Sequence, residues 1–259
     1  MRKYFRFCCT IACVAVAAAL LTGCHGKQSA QPDDPVSPSD TQTVADRDYQ
    51  EYLEDYVDTS AMSFEEIGKI LGDLSISVNH ETLQKAENSW NQLDPDEIDF
   101  VNKVGYVLSY VGKGTYDNTK KTFVPSSDEV YCFDLENGAS DQALETFFDG
   151  LNAIGEGQMA FSDVKLKSVS KEDKESGVYR RNIKFKLNGK SCSYNAEIFY
   201  DWFDINLISY INSVLKKQGD DNRLYFMEDN SNCLVFYCSD EWSQDFVRKT
   251  GCELMTEMP

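Results

Sequence analysis

Ile183-Lys-Phe-Lys-Leu-Asn-Gly-Lys-Ser-Cys-Ser-Tyr194 decides the fold class of this chain. Two runs of alternating apolar and polar residues flank Asn188-Gly189, the dipeptide that best tolerates two successive positive φ angles and so closes a two-residue type I′ hairpin. That turn fixes the register. Phe185 falls opposite Cys192, Ile183 opposite Tyr194 and Arg181 opposite Ala196, while the other face pairs Lys184 with Ser193 and Arg180 with Glu197. One apolar face and one polar face mean that the hairpin covers a core on one side only.

Working outward, Asp204 is placed to cap a helix bearing Ile205, Ile208, Ile211 and Leu215, with Lys216, Lys217 and Gly219 at its end. Two strands follow, Arg223 to Met227 and Cys233 to Cys238, joined by the polar turn Glu228-Asp-Asn-Ser-Asn232. Both are apolar on both faces and are expected to be central in their sheet. Ser239 caps a last helix with Trp242 and Phe246 inward, closed by Arg248, Lys249 and Gly251. Upstream, Glu129 to Leu135 reads as a strand, and Ser140 caps a helix whose Leu144, Phe147, Phe148 and Leu151 face the core. The order β-α-β-β-β-α-β-β-α makes residues 116–259 an α+β domain built on a mainly antiparallel sheet with interspersed helices.

Residues 46–115 read as helical. Ser63-Phe-Glu-Glu66 has capping-box spacing ahead of Ile67, Ile70, Leu71 and Leu74. Leu83, Ala86, Trp90 and Leu93 repeat the stripe. Asp94 then serves as N-cap with Pro95 at the first helical position, followed by Ile98, Val101, Val104, Gly105 and Leu108 on one face and Gly112 and Gly114 at the end. Whether this part folds alone or joins 116–259 is left open by the pattern. Residues 24–45, rich in Gln, Ser, Asp and Pro, form an expected disordered spacer with a reach of roughly 25 Å.

The first 23 residues have the layout of a signal peptide: Arg2, Lys3 and Arg6, then an uncharged run from Phe7 to Leu21, shorter than the roughly 20 residues that span a bilayer. Leu21-Thr22-Gly23-Cys24 resembles the lipobox of bacterial lipoproteins. The resemblance implies cleavage before Cys24, a diacylglycerol on its thiol, and a location on the extracytoplasmic face of the cell membrane. Further along, Tyr200-Asp-Trp-Phe-Asp204, Leu224-Tyr-Phe226 and Val235-Phe-Tyr237 with Glu241-Trp242 and Thr250-Gly251 resemble an uncharacterised domain of Gram-positive lipoproteins, which implies no particular activity.

The chain carries a net charge of −18, and its first 23 residues hold three cations and no acid, so the remainder is more acidic still. Such a balance argues against nucleic acid and against electrostatic adhesion to anionic lipid or wall polymers, and favours cationic partners. Five cysteines lie in the body: Cys132, Cys192, Cys233, Cys238 and Cys252. Cys233 and Cys238 in one strand would sit about 16 Å apart, beyond disulfide reach, so buried free thiols are expected. Beyond the signal only His25 and His80 are available, which leaves histidine-based catalysis and a histidine-ligated metal without material. Ser168-Val-Ser-Lys171, Tyr210-Ile-Asn212 and Lys249-Thr-Gly251 spell the strings of penicillin-recognising enzymes, but the first ends a strand and the last closes a helix. Asp229-Asn-Ser-Asn232 is oxygen-rich yet lacks the Glu of a calcium loop.

The best candidate site is Asp201-Trp202-Phe203-Asp204, two carboxylates around two aromatics where a strand turns into a helix. It suits a sugar face or a cation, while Asp204 as a cap and Phe203 stapled to Ile208 give a purely structural account. The sequence therefore supports a lipid-anchored envelope protein that binds a protein or peptide partner without catalysis and without a cofactor beyond the diacylglycerol on Cys24. Small-ligand capture, a carboxylate-dependent hydrolase and an inhibitor or immunity role are the alternatives.

Overall fold

The computed structural model describes residues 57–258, apart from 95–97, 99–100, 121, 171–172 and 174. The signal segment, Cys24, the spacer and the Pro95 helix start lie outside the described residues. The fold is α+β, with all strand pairing antiparallel. Among the described residues three helices come first: α1 (Phe64–Asp73), α2 (His80–Trp90) and α3 (Lys103–Gly112). A short hairpin, β1 (Thr115–Asp117) and β2 (Thr122–Val124), leads to β3 (Tyr131–Asp134), α4 (Asp141–Ile154), β4 (Phe161–Leu166), β5 (Val178–Leu187) and β6 (Lys190–Phe199). Then come α5 (Asn206–Gln218), β7 (Arg223–Asp229), β8 (Asn232–Cys238) and α6 (Asp240–Thr250).

The Asn188-Gly189 hairpin forms as expected, with φ of 51° and 76° at its two turn residues and each of the five anticipated pairs in register. From β3 onward the element order also matches. The expected single sheet is instead three: β1-β2, β3-β8-β7 and β4-β5-β6. Of the two strands expected to be central, only β8 is. Strand β7 is an edge of its sheet, its free side partly covered by a bridge between Phe226 and Met255. Being apolar on both faces reports burial above and below, which a sheet between two layers gives even to its edges. The turn is also tighter than expected: β7 runs to Asp229 and β8 starts at Asn232, leaving Asn230-Ser231, with Asn230 at φ 58°.

Strand β8 divides two cores. Cys233 and Val235 face a cluster built from α4, α5 and the inner face of β4-β5-β6. Leu234 and Phe236 face a second cluster built from α1, α2, α3 and α6. The layers are thus helices, sheet, helices, sheet, and the N-terminal helices share their core with the C-terminal strands. Specific bonds fasten them. Ser63 and Glu66 form the full capping box of α1, while the Trp242 indole and the Lys249 ammonium donate to the carbonyls of Leu74 and Asp73 at its C-terminal end. The stripe expected to run unbroken from Ile98 to Leu108 is interrupted at Asn102, whose side chain accepts from Val104 N and Gly105 N and starts α3 afresh. The Tyr210-Ile-Asn212 string is structural: Asn212 exchanges two bonds with the Leu224 backbone and clamps α5 to β7.

Between the layers, Tyr131 is boxed by Phe123, Phe133 and Phe147 and lies against Gly150 of α4. A Cβ at position 150 would come within 2.5 Å of Tyr131 Cδ2 and Cζ. Gly150→Ala is therefore expected to lower stability by about 1–3 kcal/mol, since overpacking a rigid aromatic outweighs a helix-propensity gain of about 1 kcal/mol. Urea denaturation measures it; a variant as stable as the parent would show that α4 is free to shift.

Candidate functional site

The segment that follows β6 crosses the open end of the long hairpin and turns into α5. Its residues have separate fates. Asp204 is wholly engaged: one carboxylate oxygen accepts from the Tyr194 hydroxyl at 2.8 Å and from Glu197 N at 2.9 Å, the other from Asn206 N and its side-chain amide. It was expected to be the N-cap of α5, but that position falls to Ile205, and Asp204 instead makes an Asx turn while tying the segment to the edge of β6. Phe203 was expected to staple onto Ile208. Its ring meets Phe133 edge-on and Phe147 at a tilt, with centroids 4.7 Å away in each case, within the main core. Trp202 is 45% exposed and Asp201 is exposed.

Asp201 lines a cleft. With Tyr179, Tyr200, Asn137, Ala139 and Ser140 it borders a hollow of about 610 Å³ at the N-terminus of α4. A second cleft of about 690 Å³ shares Asn137 and Ser140 and extends toward Lys113, Tyr116 and Asn232. Both lie within the size range of ligand sites. Tyr200 has φ 56°, a conformation costly for a bulky side chain, and its ring sits over Gly177, where a Cβ would clash. Phe199 meets it edge-on, with centroids 4.9 Å apart. The chain thus spends strain to keep an aromatic at the cleft wall, and outside the cleft at the same end of the hairpin Val178, Phe199 and Trp202 are also large and exposed.

Beneath the cleft is a group the hairpin pattern placed on the apolar face without identifying its partners. Arg181 is 2% exposed; its guanidinium donates to the carbonyl of Ala139 and to Asp141 Oδ1 at 2.8 Å, and its Nε has no partner. The charge is held at the first turn of α4 and locks hairpin to helix. Asp229 was read only as one oxygen of a polar turn, yet it is buried against Gly105 and accepts from Asn102 N. Burial pushes its carboxyl up to about 6.

The chemistry of the remaining groups is quiet. Burial pushes the Cys132 and Cys238 thiols up to about 12 and Cys252 to about 11, and raises Cys233 as well, so they stay protonated and poorly nucleophilic at neutral pH. The five body cysteines are free thiols. His80 is exposed at the start of α2. Among the described residues no three His, Cys, Asp or Glu side chains form a metal-holding group. Comparison of the chain with family models, with characterised proteins and with solved structures returned no match.

Because the folded state holds the Asp229 proton more tightly than the unfolded chain, the contribution of this residue to stability falls as pH rises from about 4 to 6 and is level above. The full cost, from an ordinary value of 3.8 to about 6, is about 3 kcal/mol. Asp229→Asn keeps the acceptor for Asn102 and is expected to raise stability at pH 7.5 by about 2–3 kcal/mol while leaving it nearly unchanged at pH 4. Chemical denaturation at the two pH values checks this. Equal gains at both would assign the effect to packing rather than to ionisation.

Proposed function

We propose that the protein is a non-catalytic interaction module of the bacterial cell envelope, anchored on the extracytoplasmic face through a diacylglycerol on Cys24, and that it grips a protein or peptide partner at the open end of its long hairpin. The observation that carries the binding part is Tyr200: an exposed aromatic held in a strained left-handed conformation, beside a cleft and within a run of exposed apolar side chains. Strain of about 1–3 kcal/mol is retained only where the surroundings impose it, and it concentrates at binding surfaces. Against a carboxylate-dependent reaction stands the wiring of Asp204, whose two oxygens are bonded to the scaffold, so that Asp201 has no second free acid in the pair.

The anchoring part rests on Leu21-Thr22-Gly23-Cys24 behind a basic start and an apolar run. Metabolic labelling with a palmitate analogue in an expressing bacterium is expected to mark the protein, and Cys24→Ser to abolish the mark. Persistent labelling of the variant would remove the anchor.

A second reading, capture of a small ligand, is favoured by the cleft itself, where Tyr179, Tyr200, Asp201, Asn137 and Ser140 offer rings and hydrogen-bonding groups together. A photo-crosslinking residue in place of Trp202 separates the two. A discrete protein adduct in cells, lost in Tyr200→Ser while that variant keeps its unfolding midpoint, is the expected result. No adduct, together with a ligand-induced melting shift that Asp201→Ala removes, would replace the partner with a small molecule.

A further inference from the structure

Sheet β4-β5-β6 buries one face and leaves the other bare, and the bare face has a charge opposite to that of the chain. By strand alternation and register it presents Lys165, Lys184, Lys186 and Arg180, with Lys167 just past the end of β4 beside Asn182. Against these stand two acids, Asp163 and Glu197, paired to Lys186 at 2.7 Å and to Arg180 at 2.5 Å. Lys165, Lys167 and Lys184 have no ion-pair partner among the described residues. Lys165 and Lys184 stand directly opposite each other across the ladder, a like-charge pair that weakens the sheet. Net negative charge elsewhere and unrelieved positive charge here give the molecule two electrostatic sides. The adhesion to anionic surfaces that total charge argued against becomes possible on this one face.

We propose that the outer face of β4-β5-β6 is a docking surface for an anionic lipid bilayer. Its shape fits an extended surface, because the basic side chains stand side by side on the outer face of a three-stranded sheet. Its composition fits lipid more closely than a soluble polyanion. Val178 and Phe199 pair across the ladder on this same face and are 61% and 58% exposed at its rim. They have nothing to contact on a phosphate chain but reach the headgroup layer of a bilayer, while lysine and arginine stems lie along the interface with their charges toward the phosphates. In the middle of the face, Asn182 donates to Ser193 Oγ and Asn195 Oδ1, a polar floor level with the headgroups. The acidic remainder is repelled by the same surface, so attraction and repulsion act together to set one orientation.

The test uses the full chain carrying Cys24→Ser, so that no acyl chain contributes and the outcome is independent of the anchoring proposed above. Co-sedimentation with phosphatidylcholine vesicles is compared with sedimentation with mixed phosphatidylcholine–phosphatidylglycerol vesicles, at low and high salt. The parent is expected to prefer the anionic vesicles and to lose the preference at high salt. At about fivefold per lysine, Lys165→Gln, Lys167→Gln and Lys184→Gln together should weaken partitioning on the order of 100-fold. The basic residues of the N-terminal segment are the same in both proteins, so the difference reports the sheet. Removing the Lys165–Lys184 repulsion should leave the unfolding midpoint equal or higher, which excludes unfolding as the cause. Val178→Ser with Phe199→Ser should weaken vesicle binding and leave binding of soluble polyphosphate unchanged. Equal partitioning of parent and triple variant would overturn the proposal, as would polyphosphate bound as tightly as the vesicles.

Discussion

Strand β8 has apolar side chains on both faces, with Cys233 and Val235 in one core and Leu234 and Phe236 in the other, and the remainder of the molecule is arranged to cover both. One cover is the group of helices α1, α2, α3 and α6. The other is α4 and α5, which are themselves apolar on two sides and need a further lid. The long hairpin with β4 is that lid. A four-layer stack therefore follows from one strand that cannot tolerate water on either side. The order of the layers decides which surface is left over for contact: the last sheet, wet on its outer face.

Local patterns carried much of this. Asn188-Gly189 set a register of ten pairs because turn chemistry and alternation agree there. The capping box of α1 and the glycine that ends α6 act through bonds between near neighbours, and so they are visible in a short window. The misread features are long-range. Whether β7 is central or an edge depends on what lies beside it, and its own residues report only what lies above and below. Asn102 looks like one more residue on a helical stripe until its carboxamide is seen capping α3. Asp204 has the sequence position of a helix cap, but its partners Tyr194 and Glu197 are on a neighbouring strand. Arg181 lay in plain view on the apolar face; its partners, forty residues upstream, did not. The alternation Lys165-Leu166-Lys167 and Lys184-Phe185-Lys186 was available from the start, and total charge obscured it.

Charge in this protein is sorted by place. Arg181 is buried and held by the first turn of α4, Asp229 is buried with its carboxyl pushed up, and on the outer sheet Lys186 pairs with Asp163 while the exposed Lys165, Lys167 and Lys184 have no ion-pair partner among the described residues. A single net figure averages over these environments, each of which sets a different energy for the same kind of group. The burial that raises the Asp229 carboxyl raises the cysteine thiols as well, so ionisation in this interior costs stability.

Strand β6 is an edge ten residues long, and a free edge is a template on which another chain can add a strand. In a two-residue hairpin the backbone groups of alternate residues point away from the partner strand, and Glu197 is one of them. Its N–H is taken by the Asp204 carboxylate. An incoming strand would have to displace a carboxylate that also holds Tyr194 and Asn206, on an edge whose other outward residues toward the turn are Asn195, Ser193 and Ser191. Asp204, first read as a candidate ligand residue, thus occupies one of the backbone groups through which a further strand would add to β6.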